Sequence, residues 1–312
     1  MFPIVAFLVL AALAGYWFWL RPWASPVHRL SPFAVLLVML LLLVYTDRDG
    51  DRFSASGGPI MVAVAADVSL SMGTLPEPAA HGEIGTRLER AQGVLLPLLA
   101  DLGATARPVM ISVTAFTSKS ETILAWDDDL SLVREIVEYV LTTGLITEAG
   151  SDLGAALNGV IPLIDSLPEA YRGPEYTKFL LLLSDGEQTV TRANSATAIA
   201  KLHELGVRII ALHVGLSDVP EGLPVYDENN GFVGFEEVSG QIFSVPDPDV
   251  MHLVAGEDPA RGLFVQAENN DAAATITRYI GLQTSSSAAD TLRVVALVLL
   301  WGLLMWTLLR WF

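Results

Sequence analysis

The chain has 312 residues, of which 52% are hydrophobic, yet its formal net charge is −17. Such a chain has room for one sizeable domain and additional segments, and its apolar content and its acidity must sit in different places. It contains no cysteine, which excludes disulfides, zinc-thiolate sites and cysteine nucleophiles, and its acidity argues against nucleic-acid or anionic-lipid binding through a basic patch.

Charge alone draws the boundaries. All 35 acidic residues lie between Asp47 and Asp290, and four of the 18 basic residues, Arg21, Arg29, Arg293 and Arg310, fall outside that stretch. Residues 2–20 form an uninterrupted apolar run ending in Tyr16, Trp17 and Trp19, aromatics suited to a membrane interface. A cleaved signal peptide fits less well, because a positive amino-terminal region and a small-residue cleavage site are missing. Residues 30–46 supply a second expected span, and residues 294–309, flanked by Arg293 and Arg310, a third. Arg21 and Arg29 in the loop between the first two spans, with Arg310 after the last, place the acidic middle outside the cytoplasm by the positive-inside rule; Arg48 and Arg52 oppose that assignment. The expected organisation is therefore two transmembrane helices in residues 1–46, a linker over 47–58, a folded domain over 59–283, a Ser-rich linker over 284–291 and a transmembrane helix over 292–312.

Within the domain, residues 59–66 are a short apolar run that stops at Asp67, the pattern of a strand buried on both faces. Similar runs at 109–116, 178–183, 207–214 and 262–266, with a weaker one at 121–126, predict further strands. Helical patterns over 86–102, 130–141, 153–164, 193–205 and 271–280 alternate with them. This alternation predicts an α/β fold with a doubly wound, mostly parallel, Rossmann-like sheet, whose ligands bind at the carboxyl ends of the strands. Residues 223–244 break the rhythm and read as a β-hairpin turned at Asn230-Gly231, a decoration at the domain edge.

Chemistry should follow strand ends. The first strand runs into Asp67-Val68-Ser69-Leu70-Ser71, one carboxylate and two hydroxyls at alternate positions of a tight turn. A hard cation such as Mg²⁺ takes oxygen ligands in a near-octahedral array and keeps several waters, so hydroxyls with one or two carboxylates suit it. Asp185, in Ser184-Asp185-Gly186 after another strand, is the expected second acid, and Ser151 on the loop before the 153–164 helix a further hydroxyl. Asp152 reads as helix-start chemistry. Asp47, Asp49 and Asp51 do not form a calcium loop, since Gly50 comes too early. His81, His203, His213 and His252 have no metal-ligand spacing.

Asp67-x-Ser69-x-Ser71, Ser151 and Asp185 resemble the metal-ion-dependent adhesion site of von Willebrand factor A (VWA) domains. The resemblance implies that Ser69, Ser71 and a loop hydroxyl ligate Mg²⁺ (or Mn²⁺ or Ca²⁺), that the aspartates act mainly through bound waters, and that a partner's Asp or Glu fills the open position. Here Ser151 stands where the family has threonine, which keeps the hydroxyl and loses the methyl. The expected spans, Arg87-Leu88-Glu89-Arg90-Ala91, Ser184-Asp185-Gly186-Glu187 and the 227–231 turn are similar to membrane VWA proteins of the Bat (aerotolerance) type. That likeness implies a non-enzymatic role in assembling or maturing other proteins, beside other VWA membrane proteins and a MoxR-type AAA+ ATPase. A metal-assisted phosphohydrolase using Asp67 as nucleophile and a purely structural membrane subunit are the alternatives.

Overall fold

The computed structural model describes residues 59–77, 84–172, 176–190, 193–216, 218–229, 231–238 and 240–284. They belong to one compact unit bounded at Gly57 and Ser286. The spans expected at 2–20, 30–46 and 294–309 lie outside the described residues. Among the described helices none is long and apolar enough to cross a membrane.

The main sheet contains β1 (Ile60–Asp67), β3 (Val109–Phe116), β4 (Ser120–Asp127), β5 (Lys178–Ser184), β6 (Val207–His213) and β10 (Gly262–Gln266), in the order β10-β6-β5-β1-β3-β4. All pairings are parallel except β3 with β4, so the expected mostly parallel α/β sheet is present. The weak strand anticipated at 121–126 is a half-buried edge strand that returns from β3 through a tight turn closed by the Thr117 amide on the Lys119 carbonyl, 2.8 Å.

Every residue of β1 is buried, as its unbroken apolar run requires. Because side chains alternate across a strand, Ile60, Val62, Val64 and Ala66 enter one core and Met61, Ala63 and Ala65 the other. The first core is closed by α1 (Arg87–Gly103), α2 (Leu130–Glu135) and α7 (Ala272–Thr284). The second lies beneath α3 (Leu153–Ser166), α5 (Ser195–Glu204) and α6 (Pro248–Ala255); a single turn, α4 (Glu169–Arg172), follows α3. Each large aliphatic side chain so buried contributes about 1.5–3 kcal/mol.

Local chemistry sets the helix starts. Thr86 and Glu89 form a reciprocal capping box on α1, Asp152 caps α3 through the Ala155 amide, and Asn194 caps α5. The helix expected over 130–141 is shorter: α2 ends at Glu135, and Ile136–Val140 is wound as a π turn closed by Leu141 N–H on the Ile136 carbonyl. β-branched Ile136, Val137 and Val140 are weak helix formers there. A further helix, α6, lies outside the expected pattern, although its start carries the signal of Asp247 as cap and Pro248 at the first helical position.

A second, small sheet forms from β2 (Leu75–Pro76), β7 (Glu221–Tyr226), β8 (Phe232–Glu236) and β9 (Phe243–Ser244), in the order β2-β7-β8 with β9 also on β7. The expected hairpin is β7–β8, closed by Asp227 N–H on the Gly231 carbonyl at 2.8 Å. It is more than an edge decoration, because Leu223, Glu236 and Phe243 wall the cleft at the carboxyl ends of β1 and β5.

Candidate metal centre

In the sheet order β1 lies between β3 and β5. The chain leaves β1 to build β3 on one side and crosses back to build β5 on the other, so the carboxyl ends of β1 and β5 flank a topological switch point, where such sheets open a crevice. Asp67 ends β1 and Ser184 ends β5.

Beyond Asp67 the chain tightens at once. The Ser69 amide donates to Asp67 Oδ1 at 3.0 Å, and the Met72 amide to the Ser69 carbonyl at 3.1 Å, which begins a short 3₁₀ turn over Leu70–Gly73. Met72 is buried and Leu70 points outward. The hydroxyls of Ser69 and Ser71, on either side of Leu70, share one side, with their Oγ atoms 3.1 Å apart.

Ser151 arrives from the loop before α3. The Asp152 amide donates to the Thr117 carbonyl at 3.0 Å, and Thr189 Oγ1 accepts the Ser151 amide at 2.9 Å. Gly150 precedes it with φ +96°, and a Cβ there would meet Val190 Cγ2 at 2.8 Å. Only glycine holds that position without strain. So placed, Ser151 Oγ donates to Asp67 Oδ2 at 2.9 Å. Asp152 caps α3 as expected and also accepts the Ala193 amide, 3.2 Å.

Ser184 is a further member that sequence reasoning passed over: its hydroxyl donates to Asp67 Oδ2 at 2.8 Å and accepts the Gly186 amide at 3.1 Å. Its place immediately before the anticipated Asp185 was the available signal. Asp185 lies at the same strand end but faces elsewhere. Its Oδ2 accepts from Arg87 Nη1 at 2.6 Å and its Oδ1 from the Glu187 amide at 3.0 Å, with both charged side chains fully buried. Behind it, Arg87 is paired with Glu221, Arg90 reaches Glu221 at 2.5 Å and Glu268 at 3.2 Å, and Ser244 bridges Arg87 at 2.8 Å and Glu187 at 2.5 Å. This ion-pair lattice ties the start of α1, the end of β5 and the small sheet together. No local pattern announces it, because its partners lie far apart in the chain.

Asp67 is completely buried, and its pKa is pushed from 3.8 to about 7, first by desolvation and then by the neighbouring Asp185 charge, against hydrogen bonds that favour the carboxylate. A buried carboxylate of this kind gains most from a cation. Among the described residues no group of three His, Asp and Glu side chains could hold a metal, so a cation here relies on hydroxyls. The donor set fits that role. An octahedron with metal–oxygen distances of about 2.1 Å has edges of about 3 Å, and the Ser69–Ser71 and Ser151–Asp67 oxygen pairs are spaced at 3.1 and 2.9 Å. Asp67, Ser69, Ser71 and Ser151 are brought together by these hydrogen bonds. Asp185 joins them as a buried charge beside Asp67 rather than as a carboxylate facing the serines.

The hydroxyls open onto a cleft of about 380 Å³ lined by Leu70, Leu223, Ile242 and Phe243 among others.

The von Willebrand factor type A domain model matches residues 64–254, three-fifths of the chain, from within β1 to α6. The chain belongs to this family. VWA domains commonly carry a metal-ion-dependent adhesion site and are in general non-catalytic modules that mediate protein interactions. Two solved structures share the fold. The conserved hypothetical protein BatB from Bacteroides thetaiotaomicron is 19% identical with a TM-score of 0.55, covering 73% of this chain and 100% of its own. An aerotolerance-related membrane protein from Bacteroides fragilis is 21% identical with a TM-score of 0.54, covering 72% of this chain and 98% of its own. No curated protein matches the sequence significantly.

Proposed function

We propose that this VWA domain is a metal-dependent protein-binding module, anchored in a bacterial-type inner membrane by the apolar segments at 2–20, 30–46 and 294–309. Asp67, Ser69, Ser71 and Ser151 hold Mg²⁺ (or Mn²⁺ or Ca²⁺), with Asp185 as the second acid acting at a distance. The ion keeps one position for a carboxylate of a partner Asp or Glu. The observation that carries this reading is the desolvated Asp67 carboxylate set among the Ser69, Ser71 and Ser151 hydroxyls at octahedral spacing.

The ion supplies one local positive charge on an otherwise acidic domain, so selectivity for a carboxylate resides in the metal rather than in basic side chains. By likeness to the Bat proteins, the role is assembly or maturation of another protein or complex, with other VWA membrane proteins and a MoxR-type ATPase as companions. The domain faces the extracytoplasmic side, which leaves a cytoplasmic ATPase the loop and tail around Arg21, Arg29 and Arg310. Full-length protein purified from membranes with Mg²⁺ should retain a partner that EDTA releases and that Ser69→Ala fails to retain. Equal recovery in all three samples refutes the proposal. An Asp67-dependent turnover of a phosphate ester would instead favour the hydrolase.

A further inference from the structure

The cleft above the serines has a chemically mixed lining. Ser69, Ser71 and Ser151 contribute hydroxyls, and Leu223 and Phe243 of the small sheet, with Ile242 just before β9, contribute apolar surface. Leu70 and Ile242, which both line it, are 50% and 49% exposed, so apolar surface stands open beside the hydroxyls. Among the described lining residues there is no Lys or Arg, whereas Glu187 and Glu236 are present. A divalent ion on Asp67 and the serines is then the one positive charge a ligand meets, while the two glutamates repel a second acid. At about 380 Å³ the space is at the small end of ligand pockets. It holds one or two side chains of an extended segment, not a flat protein face.

Resting on the metal reading above, we infer that the cleft selects an exposed partner segment in which a single Asp or Glu is directly adjacent to a bulky apolar residue. The carboxylate completes the metal, and its neighbour packs on Leu223, Ile242 and Phe243. The small sheet thereby sets specificity that the metal alone cannot, because any carboxylate can reach a metal but burial of an adjacent apolar side chain adds affinity only where an apolar wall is present.

The test uses the full-length chain in detergent, with fluorescence anisotropy of three labelled pentapeptides: Gly-Gly-Asp-Leu-Gly, Gly-Gly-Asp-Gly-Gly and Gly-Gly-Asn-Leu-Gly. In Mg²⁺ the Asp-Leu peptide should bind about tenfold more tightly than Asp-Gly, which corresponds to about 1.4 kcal/mol. Ile242→Ser, at a half-exposed position, should shrink that advantage to about threefold or less and leave Mn²⁺ affinity, read by electron paramagnetic resonance, unchanged. Equal, EDTA-sensitive binding of Asp-Leu and Asp-Gly overturns this inference and leaves the metal reading standing. Binding that survives EDTA, or is as tight for Asn-Leu, overturns the metal reading itself. Conversion of a dimer to a monomer by Ile242→Ser in sedimentation, with peptide affinity unchanged, assigns the cleft to a second copy of the chain and also overturns the inference.

Discussion

Replacing Asp67 by Asn separates the fold's tolerance of the site from the site's need for a cation. The rise of the Asp67 pKa from 3.8 to about 7 means that the metal-free fold holds this proton more tightly than the unfolded chain does. Between those two values the native state binds more protons, so this group's contribution to stability falls as pH rises and levels off above about pH 7. At pH 8 the ionised carboxylate is disfavoured by on the order of 4 kcal/mol. Asn keeps an acceptor for the Ser69 amide and can donate to the Ser151 and Ser184 hydroxyls, with about 1 kcal/mol lost to imperfect geometry. In EDTA the variant should therefore be about 3 kcal/mol more stable than the parent at pH 8, and the two should converge near pH 4. Guanidinium unfolding of both proteins across that range measures it. Added Mg²⁺ at a hundred times its dissociation constant should return about 2.7 kcal/mol to the parent alone. Parallel pH profiles for the two proteins, or a variant that still responds to Mg²⁺, refute the reasoning.

Two further substitutions probe the frame around the site. Arg87→Leu leaves the fully buried Asp185 without its cation and Glu221 with Arg90 alone, and unfolding should show a loss of about 3–5 kcal/mol, whereas Arg134→Leu, in an exposed pair, should change stability by less than about 1 kcal/mol. Gly186→Ala would put a Cβ 2.1 Å from the Asp247 carbonyl at φ +77°; both the clash and the left-handed backbone oppose it, so the melting temperature should fall by several degrees or more, and an unchanged value would show that the β5–α6 junction relaxes freely.

The legible part of the site was the part made by local pattern. An apolar run that ends abruptly at Asp67 signals a buried strand and a polar strand end, and Ser69 and Ser71 follow in the same turn, so their approach to Asp67 needed no knowledge of the rest of the chain. Asp185 is legible as the acid that follows another apolar strand, and Ser151 as a hydroxyl on the loop that opens the next helix. Their actual roles diverge because of neighbours no motif contains: Thr189 and Gly150 aim Ser151 at Asp67, while Arg87 draws Asp185 aside and Ser184 stands nearer. The hairpin at 223–244 was read correctly as a turn pattern, yet its place as a cleft wall was invisible, since that depends on Arg87 pairing with Glu221, 134 positions away.

Local pattern was enough for the six strands of the main sheet, the Asp152 cap and the residue types at the end of β1, because alternation, capping and turn chemistry act over a few neighbouring residues. Tertiary structure decided which carboxylate faces the hydroxyls, which is held by arginine, and what apolar surface stands beside them. Those outcomes follow from packing β5 against β1 and the small sheet against α1, where buried charges must find partners wherever the fold brings them.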